Sequence, residues 1–284
     1  MKIPFNLDLA GKCAVVTGAG GVLCSDFARA IAQCGAKVAL LDINLDAAKA
    51  VADEINAAGG TALAVKTNCL EKDSLEAAKA IIDKELGVCD ILINGAGGNN
   101  ARATTVNEYF DPSTLDDPNV QDFFSLSPDG FKFVFDLNVT ATFLATQVFA
   151  IDMAISGKGG NIINISSMNA FRPLTKIPAY SSAKSAVSNL TQWLAVHFAN
   201  TGIRVNAIAP GFFVSNQNRS LLFNQDGTPT ERTGKILRGT PMNRFGESEE
   251  LLGGLFFFLC DAASSFITGV VLPIDGGFSA YSGV

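Results

Sequence analysis

A phenol and an ammonium stand four residues apart in Tyr180-Ser-Ser-Ala-Lys184, near the start of a helical run. Positions i and i+4 share a helix face, so the two groups point the same way. A free tyrosine has a pKa near ~10 and is a poor base at neutral pH. A neighbouring cation favours the phenolate and is expected to lower that value. Such a tyrosine can exchange a proton with the oxygen of an alcohol or a carbonyl. Ser167 follows the preceding strand-like run, and its hydroxyl can bond the same oxygen. Taken alone, Y-x-x-x-K is common by chance and reads as a surface helix pair. Its surroundings must decide.

A second constellation lies near the other end of the chain. Thr17-Gly-Ala-Gly-Gly-Val-Leu-Cys24 follows a strand-like run and opens a helix. Backbone N–H groups and a helix N-terminus suit an anion there, and a diphosphate is the expected guest. Gly18, Gly20 and Gly21 allow tight turning and close approach. The strict G-x-G-x-x-G pattern fails, because Leu23 occupies the last glycine position. A plain strand-to-helix turn is the bland reading. Asp42, ending the second strand-like run, raises the odds. A carboxylate there can accept both hydroxyls of an adenine ribose and repels a 2′-phosphate. No arginine at positions 19, 20, 21 or 43 counters it, so NAD is favoured over NADP. The alternative for Asp42 is a helix N-cap.

Short apolar runs alternate with helical ones and must position these groups. Strands are expected at Cys13–Thr17, Val38–Asp42, Ala62–Thr67, Ile91–Asn94, Asn161–Ile165, Val205–Ala209 and Val270–Ile274. Helices are expected at about 25–33, 45–58, 73–84, 129–155, 179–200 and 247–260. The strands read as near-continuous Val/Ile/Leu/Ala runs, the mark of burial on both faces. The fold class is therefore α/β: a Rossmann-type, doubly wound, seven-stranded parallel sheet with helices on both faces, in one domain. Two long irregular segments, about 98–128 and 211–244, leave strand ends on the ligand side. Segments of that length serve as lids or binding loops, or as subunit contacts.

Composition excludes several classes. The chain has 284 residues, Lys+Arg 21 against Asp+Glu 27 and a net charge of -6, which argues against nucleic acid. Its single histidine, His197, lies in an apolar helical run and reads as a core or interface residue. Six cysteines form no C-x-x-C pair, so no metal site is expected and a reduced, cytoplasmic thiol set is. Asp8 and Pro4 interrupt the N-terminal region, so no signal peptide and no membrane span are expected. Apolar excess on the two long helices, as at Val148, Phe149, Trp193 and Phe198, points to subunit contacts.

With these pieces in order, the protein resembles a short-chain dehydrogenase/reductase over essentially its whole length. The resemblance rests on Thr17-Gly18 and its turn, Asn94-Gly-Ala-Gly97, Asn138, Ile165-Ser-Ser167, Tyr180-x-x-x-Lys184, Pro210-Gly211 and Asp275-Gly-Gly277. It implies Tyr180 as acid/base, Ser167 as the residue that positions the carbonyl, and Lys184 on the nicotinamide ribose. It implies that Asn138 holds the water of a proton relay. A cofactor cleft of Thr17, Gly18, Gly20, Gly21, Val22, Leu23, Asp42, Asn68, Cys69, Asn94, Gly95, Ala96 and Gly97 follows from it. The segment of Pro210, Gly211, Phe213 and Val214 would cover the nicotinamide, and a homotetramer is implied. Val22 and Cys24 stand where the family has its second and third glycines, and are expected to crowd the diphosphate unless the backbone shifts. Asn68 replaces an aspartate near the adenine.

Within the family the sequence is most similar to D-mannonate oxidoreductases (fructuronate reductases) of the short-chain type. The carrying stretches are Ser166–Thr175, Thr191–Phe198, Ala209–Phe213 and Asp275–Val284. A hexuronate or aldonate substrate needs a cation and polar donors near the tyrosine. Arg172, with Asn169 beside it, is the first candidate; Arg102 and Arg219 are further ones, each with a surface ion pair as its alternative. Two other functions stay open: a sugar-acid or polyol dehydrogenase such as gluconate 5-dehydrogenase, and a catalytically silent dinucleotide sensor.

Overall fold

A computed structural model describes residues 7–214 and 219–283. Seven strands, β1 (Cys13–Thr17), β2 (Lys37–Asp42), β3 (Thr61–Lys66), β4 (Ile91–Asn94), β5 (Gly160–Ile165), β6 (Ile203–Pro210) and β7 (Val271–Ile274), form one sheet. Its order is β3-β2-β1-β4-β5-β6-β7, and every pairing is parallel. The order reverses between β1 and β4. That switch point is where such sheets open a crevice for a ligand.

Helices α1 (Val22–Gln33), α2 (Leu45–Ala57), α3 (Lys72–Glu85), α4 (Pro128–Phe135), α5 (Ala141–Ser156) and α6 (Pro178–His197) cover the two faces. Two apolar cores result. One joins α1, α2 and a late helix, α9 (Leu252–Leu259), to one side of the strands. The other joins α3, α5 and α6 to the opposite side. Strand residues such as Val15 and Val16 feed the two cores alternately, which explains their unbroken apolar runs. Capping by Asn44 on α2 and Ser127 on α4 fixes where those helices begin.

The predicted helix over 129–155 is present with one change of pitch. Between α4 and α5, residues Asp136–Thr140 form a π turn. The wider turn carries Asn138 inward, where it is fully buried. By length and composition alone the run Pro128–Ser156 is long and apolar enough to cross a bilayer, a property that core helices share. In this fold its Ala145, Val148, Phe149 and Met153 lie in the core. Phe143, Ile151 and Ile155 leave an exposed apolar stripe.

The second irregular segment holds more structure than expected: α7 (Arg219–Leu222) and α8 (Glu231–Gly239), the latter capped by Thr230. The first matches its expectation, with only the short 3-10 turns Ala101–Ala103 and Pro112–Thr114. Its backbone joins the loop before α6 through Thr105 N–H to the Lys176 carbonyl, 2.8 Å. His197 is exposed on α6 and stacks on Trp193 with ring centroids 4.6 Å apart, an arrangement for a surface contact rather than the core.

Candidate active site

The carboxyl ends of β1, β4, β5 and β6 converge on one region, and the conspicuous side chains sit there. Ser167 lies two residues past β5, where it caps the 3-10 turn Met168–Ala170. Tyr180 and Lys184 occupy the first turns of α6, started by Pro178 at a position where a missing N–H costs nothing. The Ser167 hydroxyl neighbours the Tyr180 phenol and favours its ionised form. The Lys184 ammonium lies 5.6 Å from the centre of the Tyr180 ring and donates to the Ile165 carbonyl at 2.8 Å. The structure thus brings Ser167, Tyr180 and Lys184 together.

Its electrostatics differ from the expectation. Burial pushes the phenol above its ordinary pKa, and the Ser167 hydrogen bond only partly offsets that. Lys184 is itself buried, and loss of hydration pulls its pKa down to about 8. For the phenol, desolvation outweighs the Ser167 hydrogen bond. The phenol therefore holds its proton at neutral pH, the form required of an acid.

The turn after β4 packs against these groups. A methyl group added to Gly97 would stand 2.6 Å from Asn138 Oδ1 and 3.2 Å from Lys184 Nζ, so only glycine fits. Asn138 donates to the carbonyls of Gly98 (2.7 Å) and Val134 (2.8 Å) and accepts from Gly98 N–H at 3.2 Å. The carboxamide thus engages the protein itself and holds this turn beside Lys184. Thr17 Oγ1 accepts from the N–H groups of Gly95 and Ala96 at 3.1 and 3.2 Å, tying β1 to the same turn. Asn94 donates to Thr146 and Asn164, and Asn164 to Thr191. This buried polar network was missed from sequence. Its signal was present: Thr142 and Thr146 one helical turn apart, and an asparagine within an apolar strand.

The Gly-rich turn has the features of a dinucleotide cradle. Among the described residues no side chain caps the N-terminus of α1, and Gly18 has a positive φ of 65°, where a methyl group would stand 2.9 Å from the Ala96 Cα. Asp42 Oδ2 accepts from Gly20 N–H at 2.9 Å, while Oδ1 accepts from Asn44 N–H at 2.8 Å. Asn44 caps α2, so Asp42 does not serve in that role. Cys24 does not crowd the turn, contrary to expectation. It is buried, and its sulfur occupies the space a Gly95 side chain would need. Burial pushes its thiol up to about 12, leaving it inert. Val22, at the first position of α1, is half-buried.

Other predicted residues are placed less centrally. The Asn68 carboxamide bonds Glu71 (2.8 Å) and the Leu70 N–H (3.1 Å), organising the start of α3. Cys69 is buried in the core, and Phe213 packs on Gly246 away from solvent. Pro210 ends β6, Gly211 bonds Ile274, and Val214 is half-buried. Arg102 lies over Phe133 at 6.0 Å and Arg219 over Phe223 at 5.5 Å. Arg172 Nε donates to the Ser279 carbonyl at 2.8 Å, which brings the C-terminal segment to the site. Asn169 is buried beside Ser167.

Residues 12–225 match the family model for short chain dehydrogenase, and the protein belongs to that family. A structure from Haemophilus influenza, provisionally assigned as a D-mannonate oxidoreductase and solved with bound NAD, is 58% identical with a TM-score of 0.94 and 100% coverage of both chains. An uncharacterized oxidoreductase of Bacillus subtilis, UxuB, is 51% identical over 99% of this chain and 100% of its own. The 7alpha-hydroxysteroid dehydrogenase of Escherichia coli K12 is 35% identical over 96% of each.

Gly95→Ala forces a methyl against the Cys24 sulfur and the Thr17 carbonyl, and should cost about 1–3 kcal/mol of stability in chemical denaturation. Adding Cys24→Gly should recover part of that loss; stability unchanged by Gly95→Ala would contradict the packing. The pH dependence follows from the reacting groups. Ketone reduction needs the protonated phenol, so its kcat/KM should be level through neutral pH and decline above about 8, as Lys184 loses charge. Alcohol oxidation needs the phenolate beside a charged Lys184, so it should rise through neutral pH and level off above about 8. An oxidation rate that falls from neutral to alkaline pH would reverse the sign.

Proposed function

We propose that this protein is an NAD-dependent oxidoreductase that interconverts D-fructuronate and D-mannonate, with Tyr180 as acid/base. The observation that carries the reading is the half-buried Tyr180 phenol beside Ser167 and the buried Lys184 ammonium, next to a Gly-rich cradle. The NAD bound by the structure from Haemophilus influenza supports the cofactor, and its provisional assignment supports the substrate.

The residues fit a dinucleotide. The uncapped start of α1 offers N–H groups to a diphosphate. Asp42 would receive the ribose hydroxyls and repel a 2′-phosphate. When bound, the cofactor supplies or accepts a hydride at the substrate carbon. Ser167 holds the carbonyl oxygen, and Tyr180 gives that oxygen its proton as the alcohol forms. Lys184 stabilises the phenolate left behind, and Asn138 fixes the turn that closes the site. Oxidation reverses each transfer. Arg172 is the proposed partner of the substrate carboxylate: Nε is anchored, and a guanidinium has further donors. The apolar residues Phe143, Ile151 and Ile155 on α5 and Trp193 and Val196 on α6 support a homotetramer. The six cysteines, none of them in a disulfide, support a cytoplasmic setting.

A panel of keto-uronates and keto-aldonates with NADH tests the reading. D-fructuronate should give the highest kcat/KM, and Tyr180→Phe should lose at least about a hundredfold in kcat while NADH binding is kept. Turnover of another keto acid in its place would shift the assignment to a related sugar-acid dehydrogenase. No turnover across the panel would favour a dinucleotide sensor. Arg172→Ala should raise the KM for D-fructuronate about tenfold or more through loss of a charge-assisted bond; an unchanged KM removes Arg172 from the site. Light scattering should give a tetramer, and a monomer would refute the proposed use of the apolar stripe.

A further inference from the structure

Buried polar atoms without a protein partner mark where a ligand can complete the structure. Two of them lie on the elements that carry the reacting groups: Asn169 Oδ1 and Ser181 Oγ. Both residues are 3% exposed. A serine hydroxyl can rotate to donate or accept, so it specifies little. A carboxamide oxygen only accepts, so Asn169 specifies a donor.

Asn169 is placed by the turn that Ser167 caps, and its own backbone N–H donates to Ser167 Oγ at 3.3 Å. The residue thus stands two positions from the hydroxyl that meets the reacting oxygen, with its side chain buried. Among the described residues no donor satisfies its Oδ1. A carboxylate cannot serve, because an ionised carboxylate has no proton to donate. A hydroxyl can, and it satisfies either orientation of the carboxamide.

Resting on the proposed reading that Ser167 and Tyr180 hold the carbonyl oxygen, we infer that Asn169 reads a hydroxyl on a carbon adjacent to the carbonyl being reduced. The site then selects α-hydroxy ketones over ketones with a methylene or methyl there. The selection follows from the unpaired oxygen: an analogue lacking the hydroxyl leaves it buried and unsatisfied. Arg172 recognises charge, and Asn169 recognises the neutral neighbour of the reaction centre.

The test compares D-fructuronate with its two monodeoxy analogues, in which hydrogen replaces the hydroxyl on one or the other carbon flanking the carbonyl. For the wild-type enzyme, kcat/KM should fall at least about tenfold for one of them. Asn169→Leu removes the acceptor at similar size. It should lower kcat/KM for D-fructuronate by a similar factor while leaving the discriminated analogue nearly unchanged, so the ratio approaches one. A merely structural role would lower all three substrates together and keep the ratio, and that result overturns the inference. Equal use of D-fructuronate and both analogues by the wild type overturns it without any variant, which keeps the test decisive should Asn169→Leu fail to fold. If D-fructuronate itself is not reduced, the substrate reading fails instead, and the two failures are distinct.

Discussion

Desolvation of the Tyr180–Lys184 pair governs this site. Taking a phenol out of water holds its proton on, and taking an ammonium out of water loosens its own. Both effects operate here, one raising Tyr180 and the other bringing Lys184 to about 8. The two groups thereby move apart in proton affinity: the phenol holds its proton more tightly than the ammonium does. The phenol gives its proton only to an oxygen that gains negative charge as hydride arrives, and an anchored ammonium beside it steadies the phenolate that remains. The Ile165 carbonyl supplies that anchor, and it is fixed because β5 is a central strand paired on both sides.

Much of the surrounding protein serves to hold that pair in register. The π turn at Asp136–Thr140 turns Asn138 inward, and its carboxamide clamps the turn after β4 against Lys184. Thr17 binds the same turn from β1, so the cofactor cradle and the reacting groups share one rigid support. The Asn94–Asn164–Thr191 network runs beneath, between β4, β5 and α6. Polar groups buried in this way are costly unless bonded to one another, and when bonded they fix a single arrangement.

What could be read from sequence was whatever depends on residue type and local spacing. The strand runs were legible because burial on both faces makes them continuously apolar, and β1 and β4 appear with the bounds expected. Tyr180, Lys184 and Ser167 were legible as a set from their order along the sequence. The direction of the phenol shift was not, because spacing reports the neighbouring cation and says nothing of the water excluded around it. Nor was the orientation of Cys24. It depends on Gly95, a partner distant in sequence that gives up its side-chain volume to the sulfur. Helix α8 was overlooked in a polar segment, although Thr230 offered a capping signal.

The state of the Tyr180 proton is directly measurable, since the protein has only three tyrosines. In protein carrying 13C at the tyrosine ring carbon bonded to oxygen, the signal missing from Tyr180→Phe should titrate with a midpoint above the ordinary phenol value of about 10. A midpoint at or below that value in the cofactor-free protein would show that the ammonium, not desolvation, sets the proton affinity, and would contradict the account.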